Sequence, residues 1–484
     1  LRALERELRA RGELLTVAEF AAAATNQAGR LVTPTQLTGL LLSSSPEGEP
    51  QSPEGLPPDR GVVLWRLEAW QTRNSATNTW EGFAREFASV REQLPAARAA
   101  LTNPVPRLVL DYSQGFNTLL PHLAPIKAFC QTLRRATLLD LREGNLEAAL
   151  ENLLTAKALL DLQRHEGLII SQLVRSAIGA INLDAIWQAL QAEGWTDAQL
   201  ACLQAAWQEP EFIAGMADGL RHERAVVAWH FTDRRLKHAE LLFVFEMAAP
   251  FGDDSERLAP DIPLLEPLLA AFQRARRSVF VEVWRFTWAA QDLAFHHRRL
   301  QQALDAAARA VRERSAAGFL KPEASGQVAI LDWLAGPDLQ ELNFQDKLRH
   351  WFSLTSLAVT DNALRKAAEA DCHAQLAVAA IALKRHHLRH GRWPDKLADL
   401  VPAFLPETPR DWMDGQPLRY RLNGDGSFTL YSVGWDGRDD GGDPRPENDK
   451  RPTMMRGRDI VWPQPANEAD LLAAGAVPRG SRIR

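Results

Sequence analysis

Apolar residues recur at helical spacing through most of this chain, with polar residues filling the intervening positions. Leu1, Leu4, Leu8 and Leu14 to Leu15 share one face of a short first helix over Leu1–Leu15. Ser43 to Asp59, reading SSSPEGEPQSPEGLPPD, interrupts the pattern with so much Pro, Ser, Gly and Glu that it predicts an exposed loop or linker. From about Gly61 to Thr360 helical periodicity dominates. Ile126 to Leu141 reads as one helix, Glu143-Gly144-Asn145 as a break, and Leu146 to Leu160 as the helix that folds back on it. Further helices are predicted near Ile169–Glu193, Asp197–Gln208, Ile213–Met247, Leu264–Ala317 with interruptions, and Leu339–His390, while strand-like alternation is almost absent before residue 400.

Beyond His390 the texture changes. Gly391, Pro394, Pro402, Pro406 and Pro409 stop helix formation, and Leu418–Leu422 and Ser427–Val433 read as two short strands around the turn Gly424-Asp425-Gly426. From Pro463 onward the chain reads as an extended tail. The division that follows is an N-terminal helix and linker over 1–60, a helical region over 61–360, a small α+β region over 361–462 with a short antiparallel sheet, and a tail over 463–484. The fold class is thus mainly α. The helical hairpin at 126–160 resembles one tetratricopeptide unit, but no recurrence at a fixed period extends it into an array.

Composition narrows the function classes. With 484 residues, 46% hydrophobic and 24% charged, the chain can bury one large core or several ordinary ones. A net charge of −5 and a pI near 6.2 supply no general attraction for nucleic acid or an anionic membrane. Cys130, Cys202 and Cys372 are odd in number and far apart, so they read as small buried side chains, neither a disulfide framework nor a zinc site. Of the 15 tryptophans, many, Trp187, Trp207, Trp229, Trp284, Trp288 and Trp351 among them, sit inside the predicted helices and read as core. No run of eighteen uninterrupted apolar residues and no signal peptide is present. Because the sequence opens at Leu1, a membrane anchor is expected only upstream of it.

The order of elements at the C-terminal end is more specific than any one of them. A helix over Ala367–His390 ends in His390-Gly391-Arg392-Trp393-Pro394, where glycine suits a left-handed cap and proline forbids continuation. There follow Leu397-Ala398-Asp399-Leu400-Val401, Phe404-Leu405-Pro406, Asp414-Gly415-Gln416-Pro417-Leu418-Arg419-Tyr420, then Leu430-Tyr431-Ser432-Val433-Gly434-Trp435-Asp436-Gly437, a Gly/Asp-rich loop, and Asp459-Ile460-Val461-Trp462. This succession resembles the globular domain of the major pseudopilins of type II secretion over about a fifth of the chain, and also a domain found at the end of exported bacterial proteins with long helical fronts. The resemblance implies the pseudopilin fold, an extracytoplasmic location in the periplasm or cell envelope, and calcium held by Asp436 and Asp459 with backbone carbonyls near Leu430 and Val433. Pseudopilus assembly is not implied: some 360 residues precede the equivalent helix, and Asp361, Arg365, Lys366, Glu369 and Asp371 make its first half no membrane span.

The residues themselves also argue for a cation. Asp436, Asp439, Asp440 and Asp443 are separated by glycines that let the backbone bring hard oxygens together, as calcium requires. Asp439 and Asp440 are therefore added to the candidate ligands; the bland alternative is a solvated acidic turn. An EF-hand would align Asp436, Asp440, Gly441 and Glu447, but Arg438 at its third position and Pro444 and Pro446 near its exit exclude it. His386 and His390, four apart beside His387, have a spacing that zinc could use, with helix-capping and surface roles the simpler reading. His296-His297 and His222-Glu223 match no metalloprotease spacing, and no nucleophile elbow, phosphate loop or dinucleotide fingerprint occurs. Three readings remain: a non-enzymatic binding or scaffold protein with an unidentified protein partner, an enzyme with a site around His222, Glu223, His296 and His297, and an accessory of a secretion-like machine.

Overall fold

Gly144 and Asn145 show how the helices are punctuated. Gly144 takes a left-handed conformation, φ 77°, to end α5 (Leu123–Glu143), and the Asn145 side chain accepts the Ala148 amide 3.3 Å away to begin α6 (Leu146–Leu162). The computed structural model describes residues 1–24, 30–41, 80–102, 106–112, 118–232, 278–317, 343–443 and 458–463. The predicted linker at 43–59, the tail beyond 463 and parts of three predicted helices, at 233–247, 264–277 and 339–342, lie outside them.

Among the described residues the chain is mainly helical, with a small antiparallel sheet near its C-terminal end. After α1 (Arg2–Ala10), α2 (Val17–Ala24), α3 (Pro34–Leu40) and α4 (Trp80–Thr102) come the α5–α6 hairpin, α7 (Ile169–Gln191), α8 (Asp197–Trp207) and α9 (Phe212–Thr232). Residues 278–287 are helical, and α10 (Ala289–Glu313), α11 (Phe344–Arg349) and α12 (Trp351–His390) follow. One feature has no counterpart in the sequence reading: β1 (Arg30–Val32) and β2 (Pro106–Leu108) pair in parallel, with Leu31 opposite Arg107. Three residues a side are too few to show a period, which is why alternation did not reveal them.

α12 is the spine. Its 40 residues pack against α7, α8, α9 and α10 and then reach the sheet. One continuous hydrophobic cluster runs from Phe83 and Leu133 through Trp187, Trp207 and Ala377 to Leu430 and Trp462. The boundary expected at residue 361 therefore falls inside an unbroken helix whose neighbours Ala363, Leu364, Ala367 and Ala368 are buried. Residues 1–24 and 30–41 also dock onto the bundle: Leu8, Leu15 and Leu37 are buried, and Glu13 meets the buried Arg224 at 2.6 Å. α7 is the single described helix long and apolar enough to cross a membrane; here it lies inside the bundle and carries the buried Gln172, Arg175, Asn182 and Gln188.

Trp187, Trp207, Trp284 and Trp351 are fully buried, as the helical spacing predicted, while Trp229 and Trp288 are half-buried. Cys130 and Cys372 are buried, but Cys202 is exposed, because it occupies the solvent side of α8 opposite Leu200, Leu203 and Trp207.

Three helices take a side-chain cap for their first amides from another helix. The Ile169 amide of α7 donates to Glu223 of α9 at 3.1 Å. The Phe212 and Ile213 amides of α9 donate to Asp371 of α12 at 3.0 and 2.8 Å. The Phe352 and Ser353 amides of α12 donate to Asp292 of α10, each at 3.2 Å. These carboxylates, which on sequence grounds belong to solvated helix faces, satisfy orphan amides inside the protein.

Burial, opposed by the two amides and Arg175, raises the pKa of Asp371 to about 6. A carboxyl with a raised folded-state pKa stabilises most fully below its unfolded pKa and loses that contribution as pH climbs to about 6. Asp371→Asn removes the titration and keeps an acceptor. In urea unfolding with chelator present, the variant is expected to gain about 2 kcal/mol on the wild type between pH 4 and pH 7. A constant difference across that range would disprove the assignment.

Candidate metal centre

The C-terminal lobe begins where Gly391, φ 71°, ends α12. A 3₁₀ turn (Leu397–Leu400) leads to β3 (Arg419–Leu422), which pairs antiparallel with β4 (Phe428–Ser432) through Tyr420 opposite Leu430. The two strands fall within the ranges predicted, and Gly426 takes φ 81° in the turn between them. β5 (Ile460–Val461) adds to the other side of β4, giving the order β3-β4-β5.

After β4 the described part of the acidic loop, 433–443, lies against Asp459 at the start of β5. Gly434 has φ 68°, and a Cβ there would stand 2.3 Å from the Arg458 carbonyl, so only glycine lets the two backbones meet. Asp459, 1% exposed, accepts the Gly442 and Asp443 amides at 2.7 and 3.0 Å on one oxygen and the Asp440 amide at 3.4 Å on the other. Burial outweighs these amides and raises its pKa to about 6. Asp436 is also buried, and one of its oxygens accepts the Arg438 amide at 3.0 Å.

The remaining candidates are placed differently. Asp439 accepts the Tyr431 hydroxyl at 2.8 Å and the Gly441 amide at 3.0 Å, with Arg419 3.8 Å from its other oxygen. The Asp440 side chain is exposed. The Leu430 carbonyl accepts the Trp462 amide at 2.8 Å as part of the sheet, and the Val433 amide donates to Asp411 at 2.9 Å. Among the described residues no three His, Cys, Asp or Glu side chains form a metal-holding group. A cation here would be held by Asp436, Asp459, loop carbonyls and water. That all-oxygen set fits a hard cation and does not fit zinc or copper.

Asp411 is the residue sequence reasoning missed. It is fully buried, accepts the Ser432 hydroxyl at 2.6 Å and the Met413 amide at 2.9 Å, and meets Arg419 at 3.1 Å. With the Val433 bond it ties the turn at 411–414 to the end of β4, where the loop departs. Ser432 within the Leu-Tyr-Ser-Val-Gly run was the only hint, since a serine ending an apolar strand implies a partner. On the other side, Arg365 of α12 lies 4.8 Å from the Trp435 ring centre, fastening the loop to the spine.

The histidines and the glutamate considered for catalysis are engaged in packing. His222 is stacked with Phe20, ring centres 4.7 Å apart, and meets Tyr112 edge-on at 4.0 Å; burial lowers its pKa to about 4. Glu223 caps α7. His296 lies 3.2 Å from the Ser356 hydroxyl, and burial lowers its pKa to about 4 and that of His297 to about 3. Comparison with known proteins finds no matching family model, no matching curated protein and no matching solved structure.

Proposed function

We propose that this protein is a non-enzymatic, extracytoplasmic binding scaffold whose C-terminal lobe follows the pseudopilin plan and is closed by calcium. The observation that carries this reading is the return of the Gly/Asp loop onto β5, which buries Asp459 beneath three loop amides beside the segment bearing Asp436. The succession of capped helix, 3₁₀ crossing, hairpin and loop supports it, because that is the order in which the pseudopilin motifs occur. Asp436 and Asp459 are the proposed calcium carboxylates, with carbonyls such as that of Val433 beside them. Asp440 is a secondary candidate, whereas Leu430 and Asp439 already serve the sheet and the Tyr431–Arg419 contact. Calcium supplies charge neutralisation to a loop that otherwise gathers carboxylates at low dielectric.

The binding role is supported by Val279, Val283 and Phe286, which are 64%, 44% and 79% exposed along one side of the helix at 278–287. A protein partner is the corresponding proposal.

Thermal unfolding of the whole chain with calcium, magnesium or chelator tests the metal. A ligand bound only by the native state raises the midpoint, and a hundredfold excess over its dissociation constant contributes about 2.7 kcal/mol. Calcium is expected to raise the midpoint, magnesium to do so much less, and Asp436→Asn to abolish the shift. An identical midpoint in calcium and chelator would reduce the loop to an acidic turn.

A further inference from the structure

The end of α12 carries a second site of different chemistry. His386 Nδ1 lies 3.0 Å from the Arg392 carbonyl, which can only accept, so Nδ1 holds the proton and Nε2 presents its lone pair. A hydrogen bond of this kind, from the ring nitrogen opposite the metal, orients a metal-ligating imidazole. His390 is exposed one turn further on, with its ring centre 4.4 Å from that of His386. Phe404 packs beside both rings, at 5.5 and 6.1 Å, and restricts their rotation. Because the helix stops at Gly391, the free carbonyls of its last turn add negative potential. The arginines nearby are partly compensated: Arg385 and Arg389 share the single carboxylate of Asp197 at 2.7 and 2.8 Å, and Arg392 lies 3.6 Å from Asp395.

We propose that His386 and His390 form a two-imidazole site for a zinc-class divalent cation, with water or a partner's side chain completing the coordination. Two nitrogens on consecutive turns suit zinc, nickel or copper and are poor ligands for calcium. The site is independent of the acidic loop and of the function proposed for it.

Titration calorimetry of the full chain with zinc chloride, in the presence of excess calcium, tests the inference. One zinc site is expected, weakened about 100-fold by His390→Ala and unchanged by Asp436→Asn. His390 is exposed, so its variant should keep the wild-type unfolding midpoint in chelator. Zinc binding of equal strength in His390→Ala, or no zinc binding by the wild type, would overturn the proposal.

Discussion

Replacing Arg175 with alanine is expected to lower the unfolding free energy by about 4 kcal/mol. Arg175 is fully buried, and its guanidinium donates to three main-chain carbonyls: Leu160 near the end of α6 at 3.0 Å, Glu211 at 3.3 Å, and Pro210. It also lies over the Phe212 ring at 4.7 Å. Its loss strips those acceptors of their donor, opens a cavity between α6, α7 and α9, and releases Glu211 from a left-handed conformation, φ 54°, that a residue with a side chain rarely adopts. Burial lowers the pKa of Arg175 to about 10, so the group stays charged at neutral pH. Arg175→Lys retains a charge but not the three-way fork, and should recover less than half of the loss. Denaturant unfolding decides the matter; a loss below about 1 kcal/mol in the alanine variant would mean that the carbonyls find other donors.

Asp292→Ala is expected to cost about 3 kcal/mol. Besides the Phe352 and Ser353 amides, Asp292 accepts the Trp284 indole N–H at 3.0 Å and the Ser353 hydroxyl, all inside a cluster with Trp351 and Phe352. Alanine leaves four donors without that acceptor where water does not reach. Asp292→Asn keeps one acceptor oxygen and should lose about half as much. Hydrogen exchange supplies a more specific readout, since the amides at 352 and 353 should lose protection in the alanine variant while those near Ile381 keep it. Unchanged protection at 352 and 353 would sink the capping assignment.

The parts of this fold that depend on neighbours in sequence were legible there. Gly144 and Asn145 between two apolar runs, Gly391 before a proline, and the turn at 424–426 each announce a local backbone conformation, and each appears where predicted. What depends on distant residues was not legible. No local rule marks Asp292, Asp371 or Glu223 as caps, because the amides they serve lie 54 to 159 residues away. Asp411 likewise reads as a turn residue until the strand holding Ser432 folds beside it. In the acidic loop the composition singled out a segment, yet it could not separate Asp459, turned inward, from Asp439, turned toward Tyr431 and Arg419. Side-chain direction in a glycine-rich loop is set by tertiary contacts, not by spacing.

The continuity of α12 bears on how such a protein could be inherited. A C-terminal lobe joined by a flexible hinge can be exchanged between genes as a cassette, because nothing in the recipient needs to recognise it. Here one helix supplies Asp371 to cap α9 and Arg365 to hold the acidic loop. Recombination within it would have to preserve both the phase of its apolar faces and the identity of those contacts. A substitution along the shared helix therefore meets packing demands from the front and the lobe at once.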